Sequence, residues 1–254
     1  MSAHFKYLVF AFLTLSSPAF ALDSVNVMAD NSLNIAIAEI ARSYSRDKDI
    51  IVNTSYISPA AQQSQITEGG AADILITPQA SLVDTLKGQG LVDVYSQTLL
   101  AKDHLVLVGP ADSTLVMNLS RGFSVAPLIW QMGGEPGFVV ANPQTLPEGS
   151  YSKDALRNMN VADDLEPYTL YVKRRDQMLE MVASKDYGVF FNSVVVGRPG
   201  IRVLDFFPDN SYPAIQYYAV VIAGENMSQA RKFLDYLKSD PAKRILRDNG
   251  FSVD

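Results

Sequence analysis

The strongest constraint on this chain is an alternation that occurs three times before residue 90: a short apolar run followed by a segment with helical spacing. Val25 to Ala29 has a strand pattern. Asn31-Ser32 then offers a helix cap, and Leu33, Ile35, Ala36, Ile37, Ile40 and Ala41 recur at helical intervals. Ile50 to Tyr56 is the second strand. Ser58 and Pro59 suit the cap and first position of the next helix, which Gly69-Gly70 closes. Asp73 to Thr77 is the third strand, apolar on both faces as in a parallel sheet, and Ser81 to Lys87 the third helix. Such an order predicts an α/β chain with mostly parallel strands covered by helices.

The pattern continues less regularly. His104 to Pro110, Phe138 to Ala141, Leu170 to Val172, Gly188 to Phe191, Val203 to Phe206 and Tyr217 to Ala223 read as strands. Helices are expected over 151–159, over 176–183, from Asn226-Met227-Ser228 to Leu237, and from Pro241 onward. Residues 111–137 are irregular and hold the only tryptophan, Trp130. With 254 residues, 48% of them hydrophobic, the chain can bury a sizeable core in one large domain or two lobes.

The N-terminus has the signature of an export signal: Lys6, an apolar run from Tyr7 to Leu15, Pro18, and the small-x-small site Ala19-Phe20-Ala21. The run is shorter than the roughly 20 residues that span a bilayer, so cleavage after Ala21 is expected rather than anchoring. With no cysteine there is no disulfide framework, thiolate metal site, cysteine nucleophile or lipid attachment site. A soluble, diffusible periplasmic protein is therefore expected. The net charge of −6 argues against general nucleic-acid binding, which needs a basic surface.

Catalytic chemistry finds little support. Beyond the signal segment the only histidine is His104, beside an apolar strand and read as structural. Neither an HExxH pair nor a Gly-x-Ser-x-Gly elbow occurs. Gly133-Gly134-Glu135-Pro136-Gly137 lacks the Lys-Ser/Thr of a phosphate loop, and Asp163-Asp164 lacks calcium-loop spacing. No catalytic residue, metal or cofactor is expected. What remains is geometry: open α/β sheets bind ligands at strand carboxyl ends, where helix N-termini attract anions without basic residues.

One stretch, Asn142-Pro143-Gln144-Thr145-Leu146-Pro147-Glu148-Gly149-Ser150-Tyr151-Ser152-Lys153-Asp154-Ala155-Leu156, resembles the D-P-x-x-V-P-A-G-x-Y-A-K-x-A-L segment of periplasmic molybdate-binding proteins. These are the solute receptors of ABC importers. Ser32-Leu33, Gln65-Ile66 to Ile76, Phe207 to Ser211, Phe233 to Leu237 and Asn249-Gly250-Phe251 extend the resemblance over nearly the whole exported chain. It implies a two-lobed periplasmic binding protein fold (type II), with a hinge and a ligand held between the lobes. Lobe 1 would be 22–102 plus 224–254, and lobe 2 would be 103–223. The implied partners are a small solute and the importer's permease, with the protein a monomer.

The family grips a tetrahedral oxyanion with serine and tyrosine hydroxyls and backbone N–H groups. Carried over, that set falls on Asn31, Ser32, Ser58, Thr77, Glu148, Gly149, Arg175, Phe191 and Asn192. Ser32 is kept. A second serine position falls on Pro59, beside Ser58, and an N–H donor on Pro78, beside Thr77. Glu148 stands where the family has alanine, Arg175 where it has an apolar residue, and Phe191 where it has tyrosine. Asp30 replaces a small residue beside Ser32. Donors are lost and acids are gained, so the ligand is expected to differ from molybdate, and a zwitterionic or partly cationic solute fits better. Arg175 either binds an anion or pairs with Glu148 across the cleft to hold the lobes together. The alternative function is a periplasmic interaction or sensor module with a vestigial cleft.

Overall fold

The computed structural model describes residues 24–254; the export signal expected over residues 1–21 lies outside the described residues. The chain opens with β1 (Ser24–Ala29), α1 (Asn34–Lys48), β2 (Ile51–Tyr56), α2 (Pro59–Thr67), β3 (Ile74–Thr77), α3 (Ala80–Gly88) and β4 (Thr98–Asp103). It crosses at His104 into β5 (Leu105–Pro110), α4 (Val125–Gln131), β6 (Phe138–Ala141), α5 (Glu148–Asn158), α6 (Ala162–Leu165) and β7 (Thr169–Val172). Then follow α7 (Arg175–Ser184), β8 (Tyr187–Phe191), α8 (Asn192–Val195) and β9 (Ile201–Phe206). The chain returns through β10 (Ile215–Val221), α9 (Met227–Leu237) and α10 (Asp240–Asp248).

Two five-stranded sheets result, ordered β2-β1-β3-β10-β4 and β7-β6-β8-β5-β9. In the first, β1 runs parallel to β2 and β3, while β10 runs antiparallel to β3 and β4. The second repeats the plan, with β6 parallel to β7 and β8, and β5 antiparallel to β8 and β9. The α/β fold expected from the alternation forms, and its two sheets agree with the two-lobed fold that the resemblance implies. One strand differs from expectation: β10, assigned to the second lobe, is hydrogen-bonded between β3 and β4 of the first sheet. Its apolar run identifies a buried strand but carries no information about which sheet it joins.

Other differences are local. β4 has no counterpart in the sequence reading, because Thr98–Asp103 ends in Lys-Asp and lacks a bounded apolar run. A short helix, α4, lies within the irregular segment. Asp30, rather than Asn31 or Ser32, caps the first helical turn, and α1 continues from it. Ser58 and Pro59 hold the predicted cap and first positions of α2, although the Ser58 side chain makes no capping bond.

The first sheet is packed on both faces. Val25, Val27, Ile74 and Ile76 are fully or almost fully buried with Ile37 and Ile40 of α1 and Phe233 of α9. Leu75 and Met28 meet Leu82, Val83 and Leu86 of α3 on the opposite face. Burial of this apolar surface, at roughly 25 cal/mol per Å², fixes the strand ends whose loops build the site.

The sheets touch around α8. Asn192 donates from Nδ2 to the Gly250 carbonyl at 2.8 Å. Gly250 lies at φ +86°, and an added Cβ there would stand 3.0–3.1 Å from Val196, Asn192 and Ser193, so this close turn requires glycine. At the crossover, His104 bonds Ser252 through Nε2 at 2.8 Å and approaches Asp209 at 3.3 Å, which is the structural role expected of it. No helix among the described residues is long and apolar enough to cross a membrane.

Candidate functional site

The turn after β1 in the first sheet and the turn after β6 in the second each carry a carboxylate. After β1, Asp30 accepts from both the Ser32 N–H (2.9 Å) and the Ser32 Oγ–H (2.6 Å). The Ser32 hydroxyl has one hydrogen, so at its second contact, 2.8 Å from Tyr217, it accepts. The Tyr217 phenol is held well above its ordinary range by burial first, then by the negative fields of Asp103, Asp30 and Glu148, against a lowering from the Ser32 bond. It therefore stays protonated and donates. The chain of bonds runs from Tyr217 through Ser32 to Asp30, and both donors of Ser32 are committed to a carboxylate of its own chain.

In the second sheet, Glu148 opens α5 and is 1% exposed. Arg175, at the start of α7, donates from Nε to Glu148 Oε1 at 2.7 Å and pairs with the same oxygen through a terminal nitrogen. Glu148 Oε2 is buried and has no hydrogen-bond partner among the described residues. Both residues belong to the second sheet's loops, so the pair does not span the cleft or fasten the lobes together. That expectation is corrected: α5 and α7 pack against the same strand, β6, which brings their first turns side by side. Arg174, the neighbour of Arg175, pairs outward with Asp176.

The remaining expected positions separate into two groups. Asn31 and Ser32 line a cleft of about 300 Å³ that opens beside Arg175. Asn34, Asp176, Ser193, Arg198 and Asn249 complete its polar lining. Ser58, Thr77, Glu148, Gly149, Phe191 and Asn192 do not line this space. Ser58 is exposed at the start of α2. Thr77 is fully buried, and its hydroxyl accepts from the Gln79 N–H at 3.4 Å. Phe191 is buried edge-on against Tyr151, with ring centroids 5.4 Å apart. Asn192 ties α8 to Gly250. The Gly149 N–H donates to Leu146 O, and an added Cβ would fall 2.4 Å from Ala141 O, so its glycine serves packing.

Three residues important to this arrangement were not singled out from sequence: Tyr217, Asp103 and Arg198. Tyr217 sits in a run that reads as plain core, and period-two alternation gives its face but not its hydrogen bond. Asp103 ends β4 and is 3% exposed, accepting from Ser193 Oγ, Ser193 N and His104 N. Burial raises its carboxyl to about 6, against the lowering effect of those donors. The Arg198 side chain makes one bond, from Nε to Val194 O at 3.2 Å. No cluster of three or more His, Asp or Glu side chains suited to a metal ion occurs among the described residues.

Comparison with known proteins agrees with this architecture. The family model for bacterial extracellular solute-binding proteins matches residues 25–252. The molybdate-binding protein of Escherichia coli is 27% identical over 235 residues, covering 90% of this chain and 89% of its own. Among solved structures, the substrate-binding domain assigned to a molybdenum ABC transporter of Clostridium difficile superposes with a TM-score of 0.80 at 24% identity, covering 91% of this chain and 99% of that one. The periplasmic molybdate-binding protein of Azotobacter vinelandii gives a TM-score of 0.69 at 20% identity, with the same coverage. The chain therefore belongs to the bacterial extracellular solute-binding proteins.

Proposed function

We propose that this protein is an exported, monomeric receptor that binds a small solute between its two sheets and delivers it to an importer permease, and that the solute is not a bare tetrahedral oxyanion. The observation that carries this reading is the fate of the donors. Both Ser32 donors go to Asp30, and the Arg175 side chain goes to Glu148. The chain supplies its own carboxylates where a relative of molybdate-binding type would receive an anion. A dianion entering here would lose those bonds and meet two negative groups at short range.

Ligand-linked stability tests the reading. A solute at one hundred times its Kd stabilises the folded state by about 2.7 kcal/mol, which a thermal melt resolves. Molybdate, tungstate and sulfate at millimolar concentration are expected to leave the melting temperature unchanged, while a screen of small organic solutes yields one that raises it and compacts the protein in small-angle scattering. Stabilisation by molybdate would sink the altered-ligand part. Absence of any stabilising solute would favour an interaction module with a vestigial cleft.

A further inference from the structure

We propose that the solute is a small organic monocarboxylate, its carboxylate taken by Arg198 with Arg175 beside it and its apolar body held between Ile35 and Leu179. This inference rests on the solute-receptor reading above and assigns its ligand class. It begins with the charges that line the cleft, which are Arg175, Asp176 and Arg198. Arg175 is paired with Glu148, and Asp176 with Arg174. Arg198 follows α8, is exposed, and has no carboxylate within ion-pair distance among the described residues. Its one side-chain bond uses Nε, so the four N–H groups of its terminal nitrogens are left for another acceptor. The cleft thus presents one uncompensated positive charge on a planar guanidinium, which a carboxylate matches in charge and in shape.

Arg175 adds donors without adding net charge. Its Nε and one terminal nitrogen go to Glu148 Oε1, and the other terminal nitrogen has no partner among the described residues. The serine hydroxyls on the same walls offer no donor. Ser32 gives its hydrogen to Asp30, and Ser193 gives its hydrogen to Asp103. Both therefore show only lone pairs to the space they line. An anionic group is drawn to the arginines and away from Ser32. A second negative charge finds no second unpaired cation among the described residues of the lining, so a monoanion fits better than a dianion.

Beside each arginine the lining turns apolar. Leu179 stands four residues after Arg175 on α7, hence on the same face and one turn further along. Val194, whose carbonyl holds Arg198, lines the space next to it. From the other sheet comes Ile35, in the first turn of α1, an isoleucine left 53% exposed. An apolar body entering the cleft takes this surface out of water, a gain open to an organic acid and closed to an inorganic anion. An uncharged apolar solute would leave Arg198 unmatched. At about 300 Å³ the cleft is at the small end of ligand sites, which suits a body the size of a butyl chain or a phenyl ring.

Isothermal calorimetry on the exported chain tests this with acetate, butyrate, hexanoate and benzoate. The amides of the last three are titrated as uncharged shapes, succinate as a dianion, and molybdate as the inorganic anion. At least one of butyrate, hexanoate and benzoate is expected to bind, with its amide, acetate and succinate each at least about tenfold weaker. Arg198→Gln, at an exposed position whose loss leaves no buried charge, is expected to weaken the acid by roughly tenfold or more, as the loss of a charged hydrogen bond requires. Leu179→Ala, shown by a thermal melt to be folded, is expected to weaken it about three- to tenfold. An amide that binds as well as its acid, or acid binding unchanged in Arg198→Gln, overturns the proposal. A preference for acetate or succinate, or acid binding unchanged in Leu179→Ala, removes the apolar body and overturns it as well. If none of the acids binds but another organic solute from the screen above does, this proposal falls and the altered-ligand receptor stands. Molybdate binding alone overturns it together with the altered-ligand part. Silence of these acids and of the whole screen overturns both.

Discussion

Asp30 and Glu148 occupy corresponding places, each in a turn that leads from a strand of its sheet to a helix, yet the two sheets treat them differently. Asp30 is satisfied within its own turn, by two donors of a residue two positions on. Glu148 reaches a partner 27 residues away and leaves one oxygen unmatched. A carboxylate served by its own turn behaves as a helix cap, and its energetics are local. A carboxylate held by a distant guanidinium depends on the packing of two helices, and the remaining oxygen gives it a further demand. We take the first as a self-contained cap and the second as a pair that depends on tertiary packing.

The largest test of this contrast removes each partner in turn. Arg175→Ala leaves the Glu148 side chain, 2% exposed, without its cation. Breaking a buried pair in this way costs about 3–5 kcal/mol, readable as a shifted midpoint in urea denaturation. Glu148→Ala combined with Arg175→Leu should cost much less, because no isolated charge remains. Asp30→Ala removes only a cap and should cost about 1 kcal/mol. If Arg175→Ala proves no more damaging than Asp30→Ala, the distinction between the two turns fails.

Asp103 sharpens the comparison, since it is buried like Glu148 but satisfied by neutral donors like Asp30. Burial places its carboxyl at about 6, above the ordinary value of 3.8. A folded-state value raised above the unfolded one means that the folded chain holds a proton more tightly. Its contribution is complete below about pH 3.8 and is lost as the pH rises through 6, a change of up to about 3 kcal/mol. Denaturation midpoints of Asp103→Asn compared with the parent at pH 4, 5, 6 and 7 should show this falling component in the parent alone. An identical pH dependence in the two proteins would remove Asp103 from the account.

Much of the fold was legible from residues 25–90, where strand, cap and helix follow one another and Pro59 and Gly69 mark boundaries that the structure keeps. Periodicity reports burial, however, and not strand partners, so it offers no check on the lobe boundary implied by the resemblance, which leaves β10 with the second lobe although it pairs with β3 and β4. The same limit shaped the reading of the site. Ser32 beside Asp30 is a local pattern, visible as a cap. The pairing of Glu148 with Arg175 depends on where two helices begin in space, and its placement across the cleft did not hold because both start on one sheet. Tyr217 was hidden because a buried tyrosine in an apolar run looks like core until its hydroxyl is seen to meet Ser32.

Gly149 separates the turns by their tolerance for bulk. Its missing Cβ is required by Ala141 O at 2.4 Å and Pro143 N at 2.5 Å, both backbone atoms that cannot swing aside. Gly149→Ala should therefore cost about 1–3 kcal/mol through overpacking and displace Glu148 next to it. A thermal melt gives the cost, and a fall in ligand affinity larger than that of a distant, equally destabilising substitution would show the displacement. Wild-type stability in Gly149→Ala would mean that the α5 turn yields, contrary to the geometry.

The smallest effect tests whether the first turn is truly self-contained. Tyr217→Phe removes the donor at the head of the chain through Ser32 to Asp30, while the ring keeps its edge-on contact with Phe251, centroids 5.6 Å apart. A single hydrogen bond of this kind is worth about 1 kcal/mol. Ser32→Ala removes two side-chain bonds but leaves the Ser32 N–H on Asp30. If the three groups act as a chain, the double variant should cost less than the sum of the singles, by about 1 kcal/mol, because Tyr217→Phe has no bond left to break once Ser32 is alanine. Strict additivity would mean that Tyr217 and Ser32 stabilise the protein independently. The first turn would then lose its claim to be a scaffold organised around Asp30.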